Sequence, residues 1–192
     1  LAAVLEVARP GDHVVLAEGS YAGPVAVPPG VRLSGPCGGT AGLHGTDEEP
    51  VVTLGPGSIL TDVVVADAVG VAVAVAASPG AAEARLERVR VRETRSGISV
   101  QGLAVVSDVS IEGVSRIGVS VRAGDLRGAN VAVRGATVGI QIAEGGAASL
   151  ERVAVERARQ YGVAAFEGST LSLDVLSVRL TGGAEPPRET IG

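Results

Sequence analysis

The sequence predicts a parallel β-helix, a solenoid in which the short strands of successive coils stack on one another, and three observations support this fold class. The chain has 192 residues, of which 46% are apolar but only 2% are aromatic, with 28 glycines. Two different motifs recur along the chain at nearly the same period, and polar turn residues separate their copies. Such a chain must build its core from many small, equal pieces of Val, Ala, Ile and Leu.

The first motif is a glycine followed by alternating apolar residues. Its copies begin at positions spaced by 27, 21, 21 and 23 residues, namely Gly70, Gly97, Gly118, Gly139 and Gly162. Alternation with a period of two predicts a short strand that buries one face. The β-branched residues of each copy suit the pleated, buried side of such a strand.

The second motif has the form apolar-x-x-apolar-x-apolar. Its copies span 60–65, 86–91, 106–111, 150–155 and 173–178, and a weaker copy has Gly128 in the first position. The two motifs share one period, so we expect an all-β, single-stranded solenoid with about 21–23 residues per coil. Each coil would contain two or three strands, stacked about 4.8 Å from those of the next coil.

Charged residues follow the last apolar position of the second motif and alternate in sign. These positions are Arg92, Glu112, Arg134, Glu156 and Arg179. Like charges would repel one another across the short distance between coils, so alternation is what an outward ladder requires. We therefore expect a structural ladder in which each exposed pair contributes about 0–1 kcal/mol.

Residues 1–9 differ from the rest of the chain. Leu1, Val4, Leu5 and Ala8 follow the spacing of one face of a helix, and Pro10 lies where that helix would end. An open solenoid end exposes unpaired backbone, so a short N-terminal helix that caps the first coil is expected.

Residues 9–35 read RPGDHVVLAEGSYAGPVAVPPGVRLSG and resemble the opening turn of right-handed parallel β-helix proteins of the pectate-lyase-like superfamily. The matching residues are Pro10, Gly11, Asp12, Val14, Leu16, Gly19, Tyr21, Val27, Pro29, Gly30, Val31, Leu33 and Gly35. The resemblance implies a right-handed coil and a secreted or cell-surface location. It implies no single activity, because lyases, hydrolases, epimerases, tailspikes and adhesins share the fold.

The expected organisation is a β-helix domain over residues 1–183, followed by a C-terminal tail or linker over 184–192. Residues 36–50 break the repeat and predict an inserted loop, and residues 77–84 predict a longer turn. The first residue is Leu rather than Met, so we expect a processed or excised chain. The last coil has no evident cap in the sequence, and we expect more chain or a partner to cover it.

Composition excludes several classes of function. The single cysteine, Cys37, excludes an internal disulfide framework and a Cys-rich zinc site. The net charge of -5, with 16 arginines and no lysine, argues against a nucleic-acid partner. No run of eighteen apolar residues occurs, so no membrane span is expected.

The expected outward residues of the glycine-led strand are small and neutral. They are Ala72, Ser99, Ser120, Gln141 and Ala164, and then Ala74, Gln101, Arg122 and Ala143. This face offers neither a general acid–base pair nor the converging carboxylates of a calcium site, so no catalytic residue and no cofactor are predicted. The superfamily's enzymes use clustered carboxylates with Arg or Lys, or paired Asp with His, and this chain lacks those patterns.

Two weaker candidate sites remain. Gln101, Arg122 and Gln141 are the candidates for binding a carboxylated sugar, because a guanidinium and amides recognise carboxylates and hydroxyls. In the 36–50 segment, His44, Asp47 and Glu48 are the candidate metal ligands, although their spacing matches no known metal motif.

Three functions are therefore compatible with the sequence. The leading hypothesis is a non-catalytic secreted or cell-surface module that has a structural role or recognises a polysaccharide or protein partner. The second is a polysaccharide lyase or hydrolase with its site partly outside this chain or in the 36–50 loop, which predicts a groove lined by several carboxylates and an arginine. The third is a solenoid that self-associates end to end, which requires exposed end strands.

Overall fold

The computed structural model describes residues 1–37, 39–77, 82–166 and 168–180. In this part of the chain, parallel strands stack into a β-solenoid of about seven turns, and one short helix lies at the N-terminus. The predicted fold class is confirmed. The described residues contain no helix that is long and apolar enough to cross a membrane.

The helix α1 spans Ala2–Val7, and nineteen strands follow it within the described residues. The strands are β1 His13–Val15, β2 Gly19–Ala22, β3 Val25–Val27, β4 Arg32–Ser34, β5 Ala41–His44, β6 Val52–Leu54, β7 Ile59–Thr61, β8 Val63–Ala66, β9 Val71–Val75, β10 Ala84–Glu87, β11 Arg90–Arg92, β12 Ser96–Val100, β13 Leu103–Glu112, β14 Ile117–Arg122, β15 Asp125–Arg134, β16 Val138–Ala143, β17 Ala147–Ala158, β18 Tyr161–Ala165 and β19 Thr170–Leu180.

Each coil contributes to three stacks of parallel strands. Stack 1 consists of β1, β4, β7 and β10, and stack 2 consists of β2, β5, β8 and β11. The long strands β13, β15, β17 and β19 turn the corner between these stacks and belong to both. Stack 3 consists of β3, β6, β9, β12, β14, β16 and β18. The chain therefore uses the same three-sided coil repeatedly.

Apolar side chains of equivalent positions stack inside the solenoid. In stack 1, Leu60 pairs with Leu86, and Leu86 pairs with Val106. In stack 2, Val65, Val91, Ile111 and Val133 follow one another in register and are fully buried. The largest fully buried side chains are all Leu, Ile or Val. A narrow core built from identical layers explains why the chain contains so few aromatic residues.

A single residue turns the corner between stacks 1 and 2 in five consecutive coils. These residues are Asp62, Arg88, Asp108, Asn130 and Arg152, all with φ between 51° and 58°. The left-handed conformation is costly for residues with a side chain, and Asn and Asp tolerate it best. The structure offsets this cost with hydrogen bonds between the side chains of neighbouring coils, such as Asn130 Nδ2 to Asp108 Oδ1 at 2.7 Å.

The structure changes three details of the sequence prediction. The 36–50 segment is not one loop, because β5 lies inside it and pairs with β2 and β8. Gly70 does not stack on Gly97: the strand register places Ala72 there, so Ala72 is inward and fully buried rather than outward. The helix ends at Val7 rather than at residue 9, with Val4 exposed and Leu5 buried.

Several predicted segments fall partly or wholly outside the described residues. Residues 78–81 of the expected longer turn at 77–84 lie outside them, as do residues 181–183 at the end of the expected domain and the whole expected tail at 184–192.

Candidate functional site

A cleft of about 570 Å³ lies where stack 3 turns into stack 1, in the second half of the solenoid. Its volume falls in the range of about 300–1,000 Å³ that is common for small-molecule sites. The cleft contains two of the three predicted binding residues. It is lined by Ala77, Gln101, Gly102, Leu103, Arg122, Ala123, Gly124, Asp125, Glu144, Gly145 and Ala147.

The backbone of the cleft is held by hydrogen bonds that run from coil to coil. The amide of Asp125 donates to the carbonyl of Gly102 at 2.9 Å, and the amide of Ala147 donates to the carbonyl of Gly124 at 2.8 Å. The turns pass through left-handed residues, with φ of 51° at Ala123 and 56° at Glu144. Because backbone hydrogen bonds join the corners of successive coils, the Cα positions of the side chains at these corners are fixed.

Arg122 is the basic side chain among the described residues that line the cleft. Among the described residues Arg122 forms no ion pair, whereas Asp125 binds Arg127, with Nη2 to Oδ2 at 2.9 Å. The hydrogen bond from Arg127 to Asp125 raises the pKa of the Arg127 guanidinium above its usual value. Arg122 therefore lies beside one carboxylate that is already neutralised, Asp125, and one exposed carboxylate, Glu144.

The third predicted binding residue, Gln141, lies outside the cleft. It pairs with Ser120 on the outer face of stack 3, in a row that also contains Ala74, Ser99 and Ala164. The Ser120 hydroxyl in this row is buried and has no hydrogen-bond partner among the described residues. The structure thus brings Gln101 and Arg122 together and leaves Gln141 on the neighbouring flat face.

The predicted metal ligands do not come together. His44 Nδ1 lies 2.8 Å from Asp67 Oδ2, a residue that the sequence analysis did not consider. Asp47 and Glu48 are exposed, and Asp47 Oδ1 instead accepts a hydrogen bond from the amide of Glu49 at 3.1 Å. In the described part of the chain, no group of three His, Cys, Asp or Glu side chains is arranged to hold a metal ion. The metal site remains a prediction.

A second groove, of about 590 Å³, crosses the outer face of stack 2. Pro36, Gly39 and Thr40 form part of its wall. Most of its charges already have partners: Arg88 binds Asp62, and Asp108 accepts a hydrogen bond from Asn130. This groove is consequently a weaker candidate than the cleft for a charged ligand.

The structure aligns the five charged residues of the sequence ladder. Arg92, Glu112, Arg134, Glu156 and Arg179 are in register on successive coils of stack 2. Arg134 contacts both of its neighbours, with Nη1 to Glu112 Oε1 at 3.3 Å and Nε to Glu156 Oε2 at 3.1 Å. All three side chains are at least one-third exposed, so each contact contributes about 0–1 kcal/mol.

The ion pair between Arg88 and Asp62 has two hydrogen bonds, one to each carboxylate oxygen. Arg88 Nε and Nη2 donate to the two carboxylate oxygens at 2.6 and 2.8 Å, and Nη2 also donates to the Thr61 hydroxyl. These hydrogen bonds from Arg88 lower the pKa of Asp62 below its usual value of 3.8, and the carboxylate raises the pKa of Arg88. Burial opposes the effect on Asp62 but does not outweigh it.

Replacing Asp62 by Asn should make the free energy of unfolding depend less on pH in the acidic range. Asn fits the left-handed corner, where Asn130 occupies the equivalent position. A lowered carboxylate pKa stabilises the fold above about pH 4, and this contribution is lost as the pH falls through the lowered value. We expect Asp62→Asn to cost about 0.5–1 kcal/mol at pH 7 and almost nothing at pH 2. Urea unfolding at both pH values measures this.

The control for this experiment is Glu6→Gln, because Glu6 is exposed on α1 and has no ion pair among the described residues. It should leave the free energy of unfolding unchanged at both pH values. An equal loss at pH 7 and pH 2 for Asp62→Asn would show that the carboxylate charge is not what stabilises this corner.

Sequence reasoning missed Asp125, Glu144 and Asp67. Asp125 and Glu144 follow the two expected strands of the glycine-led motif, so aligning the residues just after each strand would have placed them near Arg122. Comparison with known proteins adds no family: no protein-family model matches the chain, and no curated protein sequence matches it either. The chain is thus identified by its architecture alone, as a parallel β-solenoid.

Proposed function

We propose that the chain is a non-catalytic, secreted or cell-surface β-helix module of the pectate-lyase-like superfamily, and that it binds a carboxylated sugar in the cleft at Arg122. The main support for this proposal is that the Arg122 guanidinium has no ion pair among the described residues and lies beside Gln101 in a cleft of suitable size. The superfamily and the location rest on the resemblance of residues 9–35 and on the solenoid architecture.

The chemistry of the cleft suits an acidic sugar. A guanidinium binds a carboxylate through two parallel hydrogen bonds, and the Gln101 amide can donate to and accept from sugar hydroxyls. Leu103, Ala123 and Ala147 supply apolar surface for the carbon face of a sugar ring. Because the coil-to-coil hydrogen bonds hold the backbone of these corners, the ordering cost of binding would fall on the Arg122 and Gln101 side chains.

The test compares uronic-acid oligosaccharides with neutral oligosaccharides of the same length by titration calorimetry. The acidic ligand should bind, and Arg122→Ala should weaken its binding at least tenfold, because a charged hydrogen-bonded pair is lost. Gln101→Ala should weaken binding less. Arg159→Ala is the matched control, since Arg159 is also an arginine but is exposed in a turn outside the cleft.

Equal binding of acidic and neutral ligands, or a loss with Arg159→Ala as large as that with Arg122→Ala, would contradict a carboxylate-specific cleft. If no uronic-acid oligosaccharide binds, the proposed sugar-binding function is wrong.

A carbohydrate-active enzyme is the second candidate function, and one observation favours it. Asp125 and Glu144 line the same cleft as Arg122, which is the combination of carboxylates and an arginine that an enzyme groove would need. If this candidate is correct, uronic-acid oligosaccharides should be shortened on incubation, and Glu144→Gln should stop cleavage while binding remains. Binding without any cleavage by the wild-type chain would leave the binding module as the function.

A further inference from the structure

Stack 3 differs from the other two stacks in its charge. Its seven strands contain a single charged residue, Arg122, which ends β14. The outer faces of stacks 1 and 2 carry charged side chains of both signs, such as Glu87 and Arg134. The described strands of stack 3 therefore hold no carboxylate that would oppose an acidic ligand lying across this face.

Two exposed arginines lie at the edge of stack 3 where its strands begin. Arg95 immediately precedes β12, and Arg116 immediately precedes β14. They stack on neighbouring coils, because Ser96 pairs with Ile117 and the amide of Arg116 donates to the carbonyl of Arg95 at 2.9 Å. Neither arginine forms an ion pair among the described residues.

This arginine pair departs from the charge pattern of stack 2. The charged ladder of stack 2 alternates in sign, and Arg134 binds the glutamates on both sides of it. At the edge of stack 3, two like charges occupy neighbouring coils, about 4.8 Å apart along the solenoid, where they repel each other. An anion bound between the two guanidinium groups would relieve this repulsion, so the edge is suited to a negatively charged ligand.

The arginine pair and the cleft lie at opposite ends of the same two strands. Gln101 follows β12 and Arg122 ends β14, so Arg116 and Arg122 are six residues apart. At about 3.3 Å per residue, their Cα atoms are about 20 Å apart. A single sugar ring cannot contact both arginines, whereas an oligosaccharide can.

Ser120 lies between these two ends, in the outward row of stack 3. It pairs with Ser99 and Gln141, so the row offers hydroxyl and amide groups. The Ser120 side chain is only 7% exposed, and its hydroxyl has no hydrogen-bond partner among the described residues. An unpaired buried hydroxyl costs free energy, and a sugar hydroxyl that enters the row would supply the partner.

We propose that the ligand is a linear polysaccharide of acidic sugars that lies across stack 3, transverse to the solenoid axis. One of its carboxylates binds Arg122, and another binds the pair formed by Arg95 and Arg116. The path between them follows β12 and β14 and passes over Ser120. It rests on the proposed binding of a carboxylated sugar at Arg122 and extends that site from one sugar to a chain.

Titration calorimetry with uronic-acid oligosaccharides of increasing length tests this path. A hexasaccharide should bind at least thirtyfold more tightly than a disaccharide, because only the longer ligand contacts both edges of stack 3. Arg116→Ala should weaken hexasaccharide binding at least tenfold and leave the affinity for the disaccharide unchanged. Arg95→Ala should act in the same direction. Added salt should weaken the binding of the hexasaccharide more than that of the disaccharide, because more charged contacts are screened.

Arg159→Ala is the matched control, since Arg159 is an exposed arginine at the same edge but two coils beyond Arg116. It should leave the binding of both ligands unchanged. Ser120→Ala should weaken hexasaccharide binding severalfold without lowering the thermal midpoint, because its hydroxyl has no partner among the described residues to lose. Circular dichroism confirms in each case that the variant is folded.

The possible results distinguish the transverse path from the proposed function itself. If no uronic-acid oligosaccharide of any length binds, both are wrong. If the disaccharide binds through Arg122 but the hexasaccharide binds no more tightly, or if Arg116→Ala has no effect, the cleft remains a binding site and the path is wrong. A loss with Arg159→Ala as large as that with Arg116→Ala would also overturn the path, because it would indicate a ligand that follows the solenoid axis.

Discussion

Replacing Gly118 by Ala should destabilise the solenoid by about 3 kcal/mol. A Cβ at this position would lie 2.6 Å from the carbonyl oxygen of Gly139 and would collide with a methyl group of Val133. Gly118 stacks in register between Gly97 and Gly139, where the backbones of successive coils approach closely. Urea unfolding followed by circular dichroism measures the loss.

The two obstacles at Gly118 can be separated. Val133→Ala removes the side-chain obstacle and leaves the Gly139 carbonyl. In the Val133→Ala background, Gly118→Ala should therefore still lower the free energy of unfolding, but by less than it does in the wild type. Gly39→Ala is the matched control, because its nearest neighbours are side-chain atoms and not backbone: Pro36 Cγ at 3.2 Å and Glu18 Oε2 at 3.3 Å. It should change stability by less than about 0.5 kcal/mol. Similar losses at Gly39 and Gly118 would show that steric approach is not the reason for glycine at 118.

Replacing Leu86 by Ala should cost about 2–5 kcal/mol. Leu86 is fully buried and stacks between Leu60 and Val106 in the interior of stack 1. The change removes most of an apolar side chain and leaves a cavity between two coils that cannot collapse without breaking the strand register. The free energy of unfolding, or a fall in the thermal midpoint, reports the effect.

Leu103→Ala is the matched control for Leu86→Ala. Leu103 belongs to the same stack in the next coil, but its side chain points outward and is 37% exposed. Its loss should cost about 0.5 kcal/mol or less. If both alanine variants unfold at the same urea concentration, the inward ladder of stack 1 contributes less to stability than its burial indicates.

The fold could be predicted from the sequence because the solenoid repeats a local pattern. Alternation identifies which residues of each strand are buried, and the shared period identifies which strands stack. The charged ladder was predictable for the same reason, since Arg134 and its neighbours occupy equivalent positions of successive copies. The predicted register was wrong where the coil length varies. Gly70 looks like the start of a copy, but the pairing of β9 with β12 places Ala72 opposite Gly97.

The candidate site was only half predictable. Gln101 and Arg122 follow strands of one motif, so their proximity could be inferred from the repeat. Asp125 and Glu144 join them because both lie just after β14 and β16, at the corner between stacks 3 and 1. His44 meets Asp67 rather than Asp47 and Glu48, because β5 removes His44 from the loop and places it beside the corner after β8.

The sequence by itself determined the class of architecture, the composition of the core and the alternating charges along stack 2. These follow from period and composition, which local interactions impose on every coil alike. Only the tertiary structure decided which residues surround the cleft and why Gly118 must be glycine. Those features depend on distances between coils and at corners, where residues far apart in the chain meet and the spacing of a repeat carries no information.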